Sequence, residues 1–228
     1  MNSTALLALF RADVRDEAEP YLWSDAEIFS YMDDAQKMFC RMQGGIADAT
    51  SAITQLAVTA GTEFSSLSPL ILKLRAARDA NTGRDIELLN YEDIQFGRSG
   101  VVCDYGVLSG YKLDSTPGEV RALVEGMEPN KIRWVRIPSQ DITVKILVYR
   151  MPLQSITGAN QSLEIDEHHH LHLLHWMKHL AHQKQDAETY DRGRAEQFRT
   201  EFIGYCDRAK AEREKREHKF RTIIYGGY

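Results

Sequence analysis

Residues 167–182, EHHHLHLLHWMKHLAH, hold seven of the eight histidines in this 228-residue chain. On an α-helix only positions three, four or seven apart share a face. His168, His172, His175, His179 and His182 follow one another at spacings of four, three, four and three, so they form one narrow stripe along about four turns. Leu173, Leu174, Met177, Leu180 and Ala181 fall on the opposite side. The segment therefore has an apolar face to bury against other helices. Its spacing predicts that the histidine stripe points away from that core, towards solvent, another subunit or an ion.

Outward from this stretch the pattern stays helical on the C-terminal side. The helix is expected over Glu164 to Gln183, Asp186 offers an N-cap, and a long helix follows from about Ala187 to Lys219. Ala195, Phe198, Phe202, Tyr205, Cys206 and Ala209 form its buried stripe. Beyond Ala209 the stripe is lost, and AKAEREKREHKF is expected to project as a charged helix held by pairs such as Arg208 with Glu212 and Arg213 with Glu217. RTIIYGGY then closes the chain with apolar and aromatic residues beside glycine.

On the N-terminal side of the histidine run the period changes. ITVKILVYR, KIRWVRIP and EVRALVEG read as strands separated by Pro138-Ser139 and Pro129-Asn130 turns. PLILKLRAARDANTGRDIELLN reads as a hairpin closed at Asn81-Thr82-Gly83, and ITQLAVTAGTEFSSL as two short strands around Gly61. A short helix is expected over Tyr91 to Phe96 behind an Asn90 cap, and residues 97–118 are turn-rich.

Before residue 50 the chain is helical again. TALLALFRADVRD spaces Leu6, Phe10 and Val14 for one helix. In WSDAEI, Ser24 is an N-cap with Glu27 as its capping-box partner, and Trp23 with Ile28 can form a hydrophobic staple. Ile28, Tyr31, Met32, Ala35, Met38, Phe39 and Met42 continue a stripe that stops at Gly44-Gly45. The expected fold class is α+β: N- and C-terminal helices forming a bundle, with an inserted antiparallel β lobe and a long C-terminal helix ending in an extended tail. The corresponding divisions are 1–50, 51–152, 153–210 and 211–228.

Composition narrows the function classes. At 43% hydrophobic residues and a net charge of −5, the chain is that of a folded protein without the basic face of a dedicated DNA-gripping one. No apolar run reaches the length of a membrane span, and the N-terminus lacks a basic region and a small-residue cleavage site, so no membrane association and cytoplasmic synthesis are expected. Cys40, Cys103 and Cys206 are too few and too far apart for a disulfide framework or a Cys-x-x-Cys zinc pattern. Charge is uneven: residues 1–50 carry nine acids and four bases, residues 208–221 seven bases and three acids.

Candidate chemistry is sparse. His168 with His172 and His175 with His179 have the four-residue spacing at which two imidazoles can meet one ion, and Glu164, Asp166, Glu167 or Asp186 could add oxygens. HHHLH and HWMKH lack the glutamate of the His-Glu-x-x-His hydrolase motif, so these four histidines are weak metal candidates and no cofactor is expected. An interfacial pH switch is a further option for a histidine stripe, the blander one being a polar face beside a neighbouring subunit. Trp23, Trp134 and Trp176 each lie in a periodic apolar segment and read as core. Asp33 and Asp34, one apart on a helix, diverge and cannot share a proton.

Several of these segments, taken in order, resemble the head-to-tail adaptor proteins of tailed bacteriophages: YLWSDAEIFSYMDDAQKMFCRMQGGIAD (21–48), ILVYRMP (146–152), LEIDEHHHLHLLHWMKHLAHQKQDAETYDRGRAEQF (163–198) and the closing IIYGGY. The resemblance implies a non-enzymatic virion structural protein at the head–tail junction, made in the host cytoplasm. It implies a homo-oligomeric ring, typically dodecameric, that docks beneath the portal protein and carries a tail or nozzle protein. Genomic DNA would pass through its lumen without sequence-specific binding. It also implies a terminal docking arm, here Arg221, Ile223, Ile224, Tyr225 and Tyr228. The rival reading from the residues alone is a histidine-rich metal-binding helical protein or metalloenzyme.

Overall fold

Ser24 opens the helix with the strongest local signals. Its side chain accepts from the Glu27 amide while the Glu27 carboxylate accepts from the Ser24 amide, closing the capping box at the start of α2 (Asp25–Gln43). Gly44, at φ 93°, ends the helix in the left-handed conformation that side chains avoid. The computed structural model describes residues 1–92, 102–103, 106–107, 113, 116–185 and 189–217. Its other helices are α1 (Ser3–Val14), α3 (His170–Gln183) and α4 (Arg192–Glu217).

The chain divides into two compact units: residues 1–45 with the described residues from 152 onward, and residues 46–151. In the first, α3 touches α1, α2 and α4. Leu6, Phe10, Ile28, Met32, Phe39, Leu173, Met177 and Phe202 are all completely buried there. A buried ion cluster fixes the turn between α1 and α2. Arg11 bonds Asp16 at 2.8 Å and Asp25 at 2.5 Å, donates to the Trp23 carbonyl, and lies 3.8 Å over the Tyr21 ring. Asp16 in turn accepts from the Leu22 amide, so the buried Arg11–Asp16 pair is fully partnered, with Asp25 at its solvent-exposed edge.

The start of α3 departs from the expected helix. A 3-10 turn, Glu167–His169, precedes it, and α4 begins at Arg192, where the Asp191 side chain accepts from the Arg194 amide. Asp186 lies outside the described residues.

The second unit is a mixed sheet ordered β1-β12-β4-β5-β9-β10-β3, with β2 also on β12. Its strands are β1 (Ile46–Asp48), β2 (Gln55–Val58), β3 (Phe64–Ser66), β4 (Ile71–Asp79), β5 (Asp85–Asn90), β9 (Ala122–Glu128), β10 (Lys131–Trp134) and β12 (Ile142–Arg150). Short strands β6 (Val102–Cys103), β7 (Gly106–Val107), β8 (Pro117–Gly118) and β11 (Ile137–Pro138) form two small pairs. Turn chemistry follows the sequence: Asp79 accepts from the Asn81 and Thr82 amides at the β4–β5 hairpin.

The expectation of a wholly antiparallel lobe is corrected, because β5 and β9 pair in parallel, Glu87 opposite Ala122 through Asn90 opposite Glu125. Parallel neighbours need a long crossover, and the chain between them, residues 91–121, provides one.

The sheet also curls. Val58 on β2 and Trp134 on β10 share one core cluster with Leu74, Ile86, Leu123 and Val144. In a flat sheet five strand spacings of about 4.8 Å would hold those two strands about 24 Å apart. Trp134 is 1% exposed and satisfies its indole N–H on the Ser65 hydroxyl at 3.0 Å. At the far end of β12, Arg150 is buried and ion-paired with Asp48 on β1, and it also donates to the Met151 carbonyl. Burial acts to raise the Asp48 carboxyl. Hydrogen bonds from Ser51, Thr50 and Arg150 outweigh it and hold the group well below the usual carboxylate range.

The C-terminal part of α4 does not project freely as expected. Arg213 reaches back to the end of α2, donating to Gln43 Oε1 at 3.2 Å and to the Gly45 carbonyl at 3.1 Å. A cation suits that position because the last carbonyls of α2 carry partial negative charge. A methyl group at Gly44 would sit 2.5 Å from Arg213 Nη2. Gly44→Ala should therefore destabilise the fold by about 1–2 kcal/mol, combining left-handed strain with displacement of Arg213. Denaturant titration should show a smaller penalty for the same change in an Arg213→Ala background.

Candidate functional site

The histidine helix presents the densest chemistry among the described residues, and its surroundings differ from the sequence expectation. Four of the five histidines of the stripe predicted to face away from the core, His172, His175, His179 and His182, lie against α4 or the turn that leads into it, while His168 is exposed in the 3-10 turn. His172 stacks on Tyr205 with ring centroids 3.5 Å apart, His182 on Phe198 at 5.8 Å, and Trp176 meets Phe202 at 5.1 Å. α3 is thus covered on both sides, with Leu173, Met177 and Ala181 fully buried. The amphipathic stripes of α3 and α4 overlap, so the polar face of one serves as the floor for the apolar stripe of the other.

Imidazoles buried this way need partners. His179, 5% exposed, places Nδ1 2.8 Å from the Ala195 carbonyl, and His182 places Nδ1 3.3 Å from the Thr189 carbonyl. His170, 3% exposed, uses Nε2 on the Ile165 carbonyl at 2.9 Å and leaves Nδ1 unpaired. A carbonyl can only accept, so each of these nitrogens carries a proton and donates. His175 Nδ1 is 3.0 Å from Glu201 Oε2, close enough for ionic attraction but without hydrogen-bond alignment.

Charged neighbours complete the seam. Lys178 pairs with Asp13 on α1 at 2.6 Å and lies 4.4 Å over the Phe198 ring. Trp176 donates to Asp34 at 2.7 Å, whereas Asp33 serves Lys37 and the Ile156 amide. The two adjacent carboxylates therefore diverge to separate partners. Trp23, Trp134 and Trp176 are 2%, 1% and 8% exposed, in keeping with their reading as core.

The four histidines singled out for metal are not brought together. His172, His175 and His179 are each engaged separately along the seam. What does converge is Asp166, His168 and His169, whose ligand atoms lie within 4.8 Å of one another. His169 was missed because it sits off the helical stripe. The 3-10 turn, which sequence spacing did not foretell, brings it beside His168, with ring centroids 3.8 Å apart.

The docking residues Arg221, Ile223, Ile224, Tyr225 and Tyr228 lie outside the described residues, as do residues 93–96 of the expected short helix. In the second unit two open clefts are present. One of about 230 Å³ is bordered by Asp79, Glu119 and Gln140, the other of about 250 Å³ by Leu72, Lys73, Glu125 and Lys131. Burial raises the Glu125 carboxyl, with Lys73 opposing. Among the described residues, no helix is long and apolar enough to cross a membrane.

A family model described as SU10 adaptor protein matches residues 1–222, and the chain belongs to that family of phage head–tail adaptors. Membership makes it a phage structural adaptor and implies a place at the virion head–tail junction, in contact with portal and tail proteins. No curated protein matches the chain.

Burial depresses the imidazoles of His172, His175 and His169. It lowers His172, with His175 and Arg208 adding to the effect, and it lowers His175, with Lys178 adding and Glu201 and Asp13 opposing. His169 is lowered to about 4, first by burial and then by His168. A folded histidine below its ordinary value of about 6.5 means that the unfolded chain binds more protons in acid, so stability is full above that value and declines as pH falls through it. Denaturant midpoints should accordingly drop between pH 7.5 and 5.5. The drop should shrink in a His172→Gln, His175→Gln double variant.

Proposed function

We propose that the protein assembles as a closed ring, dodecameric as the family resemblance implies, that docks beneath the portal and forms the platform for a tail or nozzle protein. The observation that carries this reading is the family match across nearly the whole chain, residues 1–222. It favours an assembly role over the metalloenzyme alternative, since an adaptor family accounts for residues 1–222.

Physical features support the finer parts. A ring is built from one heterologous contact repeated head to tail, which requires two different complementary surfaces on each copy. The acid-rich first fifty residues and base-rich residues 208–221 supply charge of opposite sign for such a contact. Net charge of −5 favours a lumen through which phosphate-rich DNA slides without being gripped.

The docking arm is assigned to residues 211–228, with Arg221, Ile223, Ile224, Tyr225 and Tyr228 making the portal contact. Two aliphatic and two aromatic side chains among glycines suit insertion into a portal groove, where apolar burial supplies affinity and Arg221 supplies a charge contact. Because Arg213 ties the end of α4 to the end of α2, the charged first part of this segment is anchored ahead of the portal-contact residues.

Removal of residues 221–228 should abolish co-sedimentation with purified portal and leave the circular dichroism of the chain unchanged. Light scattering of the intact mixture should report a portal-bound mass of twelve chains. Undiminished portal binding by the truncated chain would refute the arm. A bound complement other than twelve would refute the stated ring size.

A further inference from the structure

We propose that Asp166, His168 and His169 form a site for one divalent first-row transition cation, such as zinc, at the entry turn of α3. Each residue offers one ligand atom, and the three atoms lie within 4.8 Å of one another. Around a tetrahedral zinc, ligand atoms at about 2.0–2.1 Å from the ion sit about 3.3 Å apart, so closure requires movements of about 1.5 Å. Asp166 and His168 are exposed, and their side chains are free to make that movement.

His169 is the fixed member. Its Nδ1 is 2.7 Å from the Tyr205 hydroxyl, and its ring lies 4.6 Å from that of Phe39. When Nδ1–H donates to Tyr205, the lone pair is left on Nε2, which becomes the ligand atom. Metal-binding histidines are commonly oriented in this way by an outer hydrogen bond from the opposite ring nitrogen. Tyr205 thus acts as a positioning residue, and a bound ion would pin the start of α3 to α4.

Two imidazoles and one carboxylate select the cation class. The set suits zinc, cobalt, nickel or copper and is poor for calcium or magnesium, which require more oxygen ligands. Three protein ligands also leave a coordination position for water. Among the described residues no other group of His, Cys, Asp and Glu comes together in this way. Arg216 is close enough to be felt by His169 and opposes a cation, while Asp166 favours one.

The test is calorimetric titration of zinc chloride into the full, untagged chain after chelator treatment. One equivalent should bind saturably. Asp166→Asn and His168→Gln, both at exposed positions, should each weaken binding at least about tenfold. Tyr205→Phe should weaken it about tenfold with the stoichiometry kept, as a positioning role requires. His175→Gln, further along the seam, should leave affinity unchanged. The site is overturned by an absence of saturable binding, by affinity that survives His168→Gln, or by equal losses in the His168 and His175 variants, which would mean adventitious capture by the histidine-rich helix.

Discussion

The first unit depends on α4 lying across the histidine face of α3. The opposite face of that helix already rests on α1 and α2 through Leu173, Met177 and Ala181. Once Phe202, Cys206 and Ala209 cover the other face, the helix has little solvent left, and its buried imidazoles need partners within the protein. That demand explains the pairing of His179 with the Ala195 carbonyl, of His182 with the Thr189 carbonyl, and the stacking of His172 on Tyr205. Histidine suits such a seam: its ring packs as an aromatic and its N–H reaches a carbonyl that an apolar side chain would leave unpaired.

The same economy of polar groups governs the second unit. Arg150 and Asp48 are buried together at the β12–β1 junction, where neither could stand alone. Their partners, the amides of Thr50 and Ser51 and the Met151 carbonyl, lock the register in which Asp48 opposes Val148. β12 is the strand around which the sheet is organised, paired with β4 along one edge and with β1 and β2 along the other.

For an adaptor, these devices give rigid pieces on which docking elements can be mounted. Under the proposed reading the working surfaces are the flanks and the final arm, and the buried clusters hold those surfaces in shape. The Arg213 contact with Gln43 and Gly45 is the clearest example. It converts a highly charged stretch, which taken alone would be a solvated single helix, into a segment secured to the end of α2.

Local signals were legible in the sequence because their physics is local. The Ser24–Glu27 capping box, the Gly44 stop, the Asn81–Gly83 hairpin and the buried tryptophans each rest on residues a few positions apart or on simple apolar periodicity. Membership in the adaptor family was likewise visible in the ordered segments. Contacts between distant residues were not. His172, His175, His179 and His182 share one helix face as the spacing predicts, whereas His168 falls in the preceding 3-10 turn, and only the packing of α4 decided that this face is covered. Only the tertiary structure paired β5 with β9 in parallel, drew Arg213 to α2, and used a 3-10 turn to set His169 beside His168. Sequence spacing fixes which side chains share a face. What that face meets depends on segments far along the chain, whose placement is the outcome of burying every element at once.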